Sequence, residues 1–151
     1  VATNTFTVTL DGNGGLLGTA SADVLAGGTG NDILNGGGGD DLLIGGHGDD
    51  LLTGGSGRDT FLWNSGDTGA DQVTDFVIGA AGDILDISDL LTGLSMTADS
   101  VNGHLQLQFT DTNTDTIVQT IDLNNIAVAD ASAATNLMNQ LLLSGNIDDG
   151  V

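Results

Sequence analysis

Cysteine, proline, tyrosine, lysine and glutamate are all missing from this chain, and Arg58 is its single Lys-or-Arg side chain. Without cysteine there are no disulfides and no thiolate metal ligands. Without lysine, 21 acidic residues stand against one basic residue, a formal net charge of −20. Such a surface repels phosphate backbones and anionic membranes, so nucleic acid is not an expected partner. No apolar run approaches the roughly 18 to 20 residues that cross a bilayer, so membrane insertion is not expected either. The first residues carry neither the basic nor the apolar region of a secretory signal. A chain that starts at Val1 is expected to be excised from a longer protein. No nucleophile, base and orienting group form a recognisable motif, and the chain is expected not to be an enzyme.

All of the acids are aspartate. Glutamate would serve solubility equally well and suits helices, whereas aspartate suits turns and short-range chelation. These carboxylates therefore belong to turns, and the glycines show where the turns are. A nine-residue period runs GTASADVLA from Gly18, GGTGNDILN from Gly27, GGGGDDLLI from Gly36, GGHGDDLLT from Gly45 and GGSGRDTFL from Gly54. Its sixth position is Asp23, Asp32, Asp41, Asp50 and Asp59; its eighth is Leu25, Leu34, Leu43, Leu52 and Phe61. Flexible linkers and solvated acidic tracts do not place a large apolar residue at every ninth position.

Glycines at positions one, two and four permit a tight six-residue turn with carbonyl oxygens directed inward, and the other three residues form a short strand with position eight facing the interior. Two rows of nine make one coil, and the predicted fold is all-β, a parallel β-roll or β-solenoid. Stacked coils put Asp23, Asp41 and Asp59 in one column and Asp32 and Asp50 in the other, about 4.8 Å apart. At about 5 Å two carboxylates repel by roughly 3 kcal/mol at an effective dielectric of about 20, against a stability margin of about 5 to 15 kcal/mol. A cation has to sit between them. A flexible ring of carbonyl and carboxylate oxygens suits Ca²⁺ better than Mg²⁺, while zinc and copper would want His or Cys. His47 stands at a variable turn position where its carbonyl matters more than its ring, and His104 falls in a predicted strand. Without calcium the segment is expected to be disordered. Position seven (Val24, Ile33, Leu42, Leu51) should face outward and be covered by the C-terminal segment.

Residues 1–17 read as an N-terminal strand or linker, 18–62 as the roll, and 63–151 as a β-rich capping segment with a short C-terminal helix. Thr5 to Leu10 alternates as a strand does and ends at the turn-forming residues 11–15. Residues 73–90 read as short strands around a Gly-rich turn. His104 to Phe109 and Ile117 to Leu123 form a predicted hairpin across Asp111 to Thr116. Asp130 N-caps a predicted helix through Leu143, with Ser144-Gly145-Asn146 as its stop.

The rows GGTGND, GGGGDD, GGHGDD and GGSGRD resemble the repeats-in-toxin (RTX) nonapeptide. DTFLWNSGDTGADQVTDFVIGAAGDILDISDLL, with the final helix, is similar to the C-terminal target domains of type I secretion substrates. The resemblance implies one calcium between rows i and i+2, held by the carbonyls of positions two and four with Asp from the first row, and by the carbonyls of positions one and three with Asp from the second. Carried onto this sequence, the first site is Thr19, Ser21, Asp23, Gly36, Gly38 and Asp41. The second is Gly28, Gly30, Asp32, Gly45, His47 and Asp50, and the third Gly37, Gly39, Asp41, Gly54, Ser56 and Asp59. A fourth, from Gly46, Gly48 and Asp50, would be closed by Asp67, with Asp71 or Asp75 nearby. The same resemblance implies a bacterial secreted or surface protein (adhesin, toxin or exoenzyme) that engages a type I secretion apparatus through its C-terminus, folds on meeting calcium outside the cell, and is monomeric as an isolated module. The alternative is a calcium-dependent carbohydrate-binding module, since some repeat modules of this size accompany alginate-modifying enzymes. A polyuronate needs cations, and Arg58 alone supplies few.

Overall fold

The computed structural model describes residues 9–10, 15–144 and 146–148. Strands take up 51% of the chain and helix 9%, with parallel sheets, so the fold is the all-β roll expected. The strands are β1 (Thr9–Leu10), β2 (Leu16–Leu17), β3 (Val24–Thr29), β4 (Ile33–Gly38), β5 (Leu42–His47), β6 (Leu51–Ser56), β7 (Thr60–Leu62), β8 (Gly69–Val73), β9 (Ile84–Asp86), β10 (Leu94–Val101), β11 (His104–Asp111), β12 (Thr116–Ala127) and, after helix α1 (Ala131–Ser144), β13 (Ile147–Asp148). Of the expected N-terminal strand, residues 9–10 are extended. Residues 5–8 and the turn at 11–14 lie outside the described residues, as does Gly145 in the expected helix stop.

From β2 to β9 successive strands alternate between two sheets, one ordered β1-β2-β4-β6-β8-β12-β11-β10 and the other β13-β9-β7-β5-β3. Position eight of each row forms two facing apolar ladders. In the first sheet Leu16, Leu34, Leu52, Val73 and Leu123 stand in register. In the second the ladder is Leu25, Leu43, Phe61, Leu85 and Ile147. Leu25, Leu34, Leu43, Leu52 and Phe61 are completely buried. Parallel pairing continues past Leu62 through β8 and β9, because Val73 and Leu85 supply the same inward apolar residue although the nonapeptide spacing has lapsed. Trp63 and Phe76 enlarge the core there, and the rings of Phe61 and Phe76 lie 6.2 Å apart.

The hairpin forms as the alternation requires. β11 and β12 pair antiparallel, with Leu105 opposite Leu123 and Asp111 opposite Thr116, and β10 adds a third strand on the far side of β11. β12 then pairs parallel to β8, which makes the antiparallel sheet a continuation of the roll. The Asp130 Oδ1 accepts the Ala133 N–H at 2.9 Å and caps α1. The helix buries Ala134 and Leu141 and packs on β10 and β13. That placement differs from one expectation: α1 is not on the roll face, and Val24 and Ile33 stay 39% and 47% exposed. Among the described residues no helix is long and apolar enough to cross a membrane.

Candidate metal centre

Two separate physical requirements put glycine in each turn. At positions two and four, Gly28, Gly30, Gly37, Gly39, Gly46 and Gly48 take φ between 92° and 125°, a region closed to most L side chains. Position one has no such φ. There a Cβ on Gly27, Gly36, Gly45 or Gly54 would strike Oδ2 of the aspartate in its own row, Asp32, Asp41, Asp50 or Asp59.

Those aspartates form two hydrogen-bonded columns. Asp23 N–H donates to Asp41 Oδ1 at 2.8 Å, Asp41 N–H to Asp59 Oδ1 at 2.9 Å and Asp59 N–H to Asp83 Oδ1 at 2.9 Å. On the other side Asp32 N–H donates to Asp50 Oδ1 at 2.8 Å and Asp50 N–H to Asp71 Oδ1 at 2.9 Å. Each column is one residue longer than the nonapeptide spacing shows, because Asp71 and Asp83 follow their partners by 21 and 24 residues where the repeat interval is 18.

The second oxygens of these carboxylates fall into two groups, those that accept a hydrogen bond and those that do not. Asp23 Oδ2 accepts Thr19 N–H at 2.6 Å and the Thr19 hydroxyl at 2.8 Å. Asp71 Oδ2 accepts Trp63 Nε1–H at 2.6 Å and Gln119 Nε2–H at 2.7 Å, and Asp83 Oδ2 accepts Val77 N–H at 2.8 Å. Asp32, which heads the second column, and Asp41, Asp50 and Asp59, which lie inside the columns, each keep a buried Oδ2 with no hydrogen-bond donor. A buried carboxylate oxygen left so is costly unless a cation meets it.

Carbonyls converge on the same spaces. The oxygens of Gly28, Gly30, Gly37 and Gly39 lie against Gly46, Gly48, Gly55 and Gly57 of the next coil, while Gly36 O and Gly54 O point back at Gly18 and Gly36. A Cβ on Gly36 would fall between Asp41 Oδ2 and Gly54 O, so only glycine leaves that cradle open. Thr19 O, His47 O and Ser56 O each accept one N–H, from Gly38, Gly30 and Gly39, and retain a second lone pair. Among the described residues no three His or Asp side chains group closely enough to hold a metal alone, so carbonyls must supply most of any ligand shell. An oxygen-only shell dominated by carbonyls suits calcium.

The four expected sites are therefore unequal. In the second and third, Asp32 Oδ2 and Asp41 Oδ2 are free. The first differs, because Thr19 already occupies Asp23 Oδ2. In the fourth Asp50 Oδ2 is free and Asp67 is 8% exposed nearby. The two oxygens of Asp75 accept Gly54 N–H at 2.9 Å and Gly55 N–H at 2.8 Å. The His47 ring reaches Thr68 Oγ1 at 3.4 Å, and the His104 ring lies 3.9 Å from Asp122. Burial raises the carboxyls of Asp41 and Asp50, and pushes those of Asp59 and Asp71 up to about 6.

A second ladder at position five escaped the sequence reading. Asn31 Oδ1 accepts Asp49 N–H at 3.0 Å, Asp49 Oδ1 accepts Ala70 N–H at 2.9 Å, and Asp40 Oδ1 accepts Arg58 N–H at 2.9 Å. Its signal was present in the run of Asn31, Asp40 and Asp49 at successive fifth positions.

Comparison with known proteins agrees with this geometry. The family model for the RTX calcium-binding nonapeptide repeat (4 copies) matches residues 17–46 and 27–61. Among solved structures, the chain is similar to the AlgE6R3 subunit of the mannuronan C5-epimerase from Azotobacter vinelandii, with 27% identity and a TM-score of 0.57 over 89% of this chain and 77% of that one. It is also similar to the AlgE6R2 subunit of the same enzyme, with 30% identity and a TM-score of 0.46 over 72% and 83% of the two chains. No curated protein matches the chain.

Proposed function

Residues 17–61 are RTX calcium-binding nonapeptide repeats, and from that premise we propose that the chain is a calcium-dependent folding module of a bacterial secreted or surface protein. The observation that carries this is the set of buried, unpartnered oxygens on Asp32, Asp41, Asp50 and Asp59. The second site takes Gly28, Gly30, Asp32, Gly45, His47 and Asp50, and the third takes Gly37, Gly39, Asp41, Gly54, Ser56 and Asp59. Calcium supplies the positive charge that the sequence lacks, and the residues supply oxygens held at fixed spacing by the ladders. Extracellular calcium modules bind with Kd of roughly 10⁻⁴ to 10⁻³ M, so such a chain stays unfolded in a calcium-poor cytoplasm and folds outside. The module is non-catalytic and monomeric.

Far-UV circular dichroism in chelator and then in calcium tests the reading. The expected result is a disordered spectrum converted to β structure, and a full β spectrum in chelator would sink it. The export part of the proposal assigns the C-terminal segment to a type I secretion apparatus. Deleting residues 130–151 should abolish export from cells that carry such an apparatus, and continued export of the shortened chain would reject that assignment. Because β13 pairs with β9, the dichroism of the shortened chain in calcium is the necessary companion measurement.

A second reading is favoured by the likeness to repeat subunits of a mannuronan C5-epimerase: the module holds a uronate polymer, with calcium rather than Arg58 as the counter-charge. Retardation in a mannuronan-containing gel that depends on calcium would support it, and unchanged mobility would reject it.

A further inference from the structure

The two sheets end at β1, β3, β10 and β13, and β10, with 8 residues, is the longest of these edges. It is joined to β11 by Asn102-Gly103, both at positive φ (54° and 84°), with Val101 opposite His104. Those angles make a two-residue type I′ hairpin. The residues flanking such a turn exchange both of their backbone hydrogen bonds, and bonded pairs alternate from there. Val101, Asp99, Thr97 and Ser95 therefore use their backbone groups on β11, whereas Ser100, Ala98, Met96 and Leu94 turn theirs to the open side. Ser100 N–H is taken by Asp99 Oδ1 at 2.7 Å. Among the described residues no backbone hydrogen bond joins β10 to any element besides β11. Edges of this kind are ordinarily blunted by proline, lysine or a bulge. The chain has neither proline nor lysine, and β10 pairs with β11 without a register shift.

The side chains beside this edge are incompletely covered as well. Leu94, Met96 and Ala98 stay half-buried, and with Leu137, Met138 and Leu142 of α1 they pack against the core without being enclosed by it. On the opposite face of the strand Ser95 and Thr97 are exposed and Asp99 is half-buried. We propose that the β10 edge is an interaction surface for one added strand, an extended basic segment of a partner protein in which Lys or Arg alternates with apolar residues. Strand addition takes its affinity from main-chain hydrogen bonds and its selectivity from alternate side chains. The apolar residues of the added strand lie on the side of Met96 and Ala98, and the basic ones on the side of Thr97 and Asp99. Charge selects the occupant. A second copy brings another formal −20 to the contact, whereas a basic segment is drawn to it. No metal site enters this inference, so it stands apart from the calcium role.

The test uses the full chain in saturating calcium and, as the probe, a short peptide alternating lysine and valine. Exchange of single amide hydrogens is followed by NMR. In the free chain the amides of Met96 and Ala98 should exchange rapidly and those of Ser95, Thr97 and Asp99 slowly. The peptide should slow Met96 and Ala98 and leave the other three as they were. Methylating the backbone nitrogens of the peptide keeps its charge and removes its donors, so binding should weaken by about tenfold or more. Equal binding of the two peptides, or binding that leaves the β10 amides unchanged, would overturn the proposal in favour of general charge attraction. A calcium-loaded dimer that protects Met96 and Ala98 without peptide would also overturn it, because the occupant would then be a second copy.

Discussion

At the scale of single residues the informative atoms are the two oxygens of one carboxylate. Oδ1 of Asp59 holds the coil above through Asp41 N–H, while Oδ2 faces a space with no donor. That division lets one side chain serve both the ladder and an ion. It also sets the pH response of the metal-free chain. Burial, with lesser additions from Asp83 and Asp41, pushes Asp59 up to about 6; burial also pushes Asp71 to about 6, against the opposing hydrogen bond from Trp63. A carboxyl raised from its ordinary 3.8 binds its proton more tightly folded than unfolded. Its stabilising contribution is therefore fully present below about pH 3.8 and is lost as the pH rises through about 6. In chelator, acidification from neutral pH towards about pH 4 should increase the β signal, whereas in limiting calcium the same acidification should weaken ion binding, since protons compete for the same oxygens. Dichroism at both conditions checks this, and a metal-free chain that loses β structure on mild acidification would contradict it.

Among the elements, the strands of the roll are individually short and depend on the interior ladder. Leu43 touches that ladder from β5, between Leu25 and Phe61, and is fully buried. Leu43→Ala should cost about 2 to 5 kcal/mol, whereas Asp130→Ala, which removes the α1 cap, should cost about 1 kcal/mol. Denaturant melts in saturating calcium separate the two, and equal losses would mean that the ladder does not dominate. The ladder was readable at position eight as far as Phe61 because the spacing was strict. Val73 and Leu85 were not, because three extra residues before Asp71 and six before Asp83 break the period while hydrogen bonding restores the register. The helix was readable from Asp130, but its packing on β10 was not, since an apolar helix face does not name its partner. The engagement of Asp75 with Gly54 and Gly55 likewise depends on where the chain returns after β8.

For the molecule as a whole the governing quantity is a net charge of −20 with one Arg and no Lys. Screening by salt and occupation by calcium act on that charge differently. Monovalent salt shortens the reach of exposed carboxylates to about 8 to 10 Å but cannot replace a donor at the buried Oδ2 atoms of Asp32, Asp41, Asp50 and Asp59. An ion bound only by the folded chain stabilises it by RT ln(1 + [L]/Kd), about 2.7 kcal/mol for each site at a hundred times Kd. With several sites the contributions accumulate, so the melting temperature should climb steadily with the logarithm of calcium concentration well past the point at which folding is complete. Sodium chloride at matched ionic strength should give a much smaller rise, and magnesium little more, because it resists the irregular carbonyl-rich shell. Calorimetry in the three salts decides the matter. If sodium chloride reproduces the calcium effect, general screening rather than site occupation holds the roll together, and the unpartnered oxygens have lost their explanation.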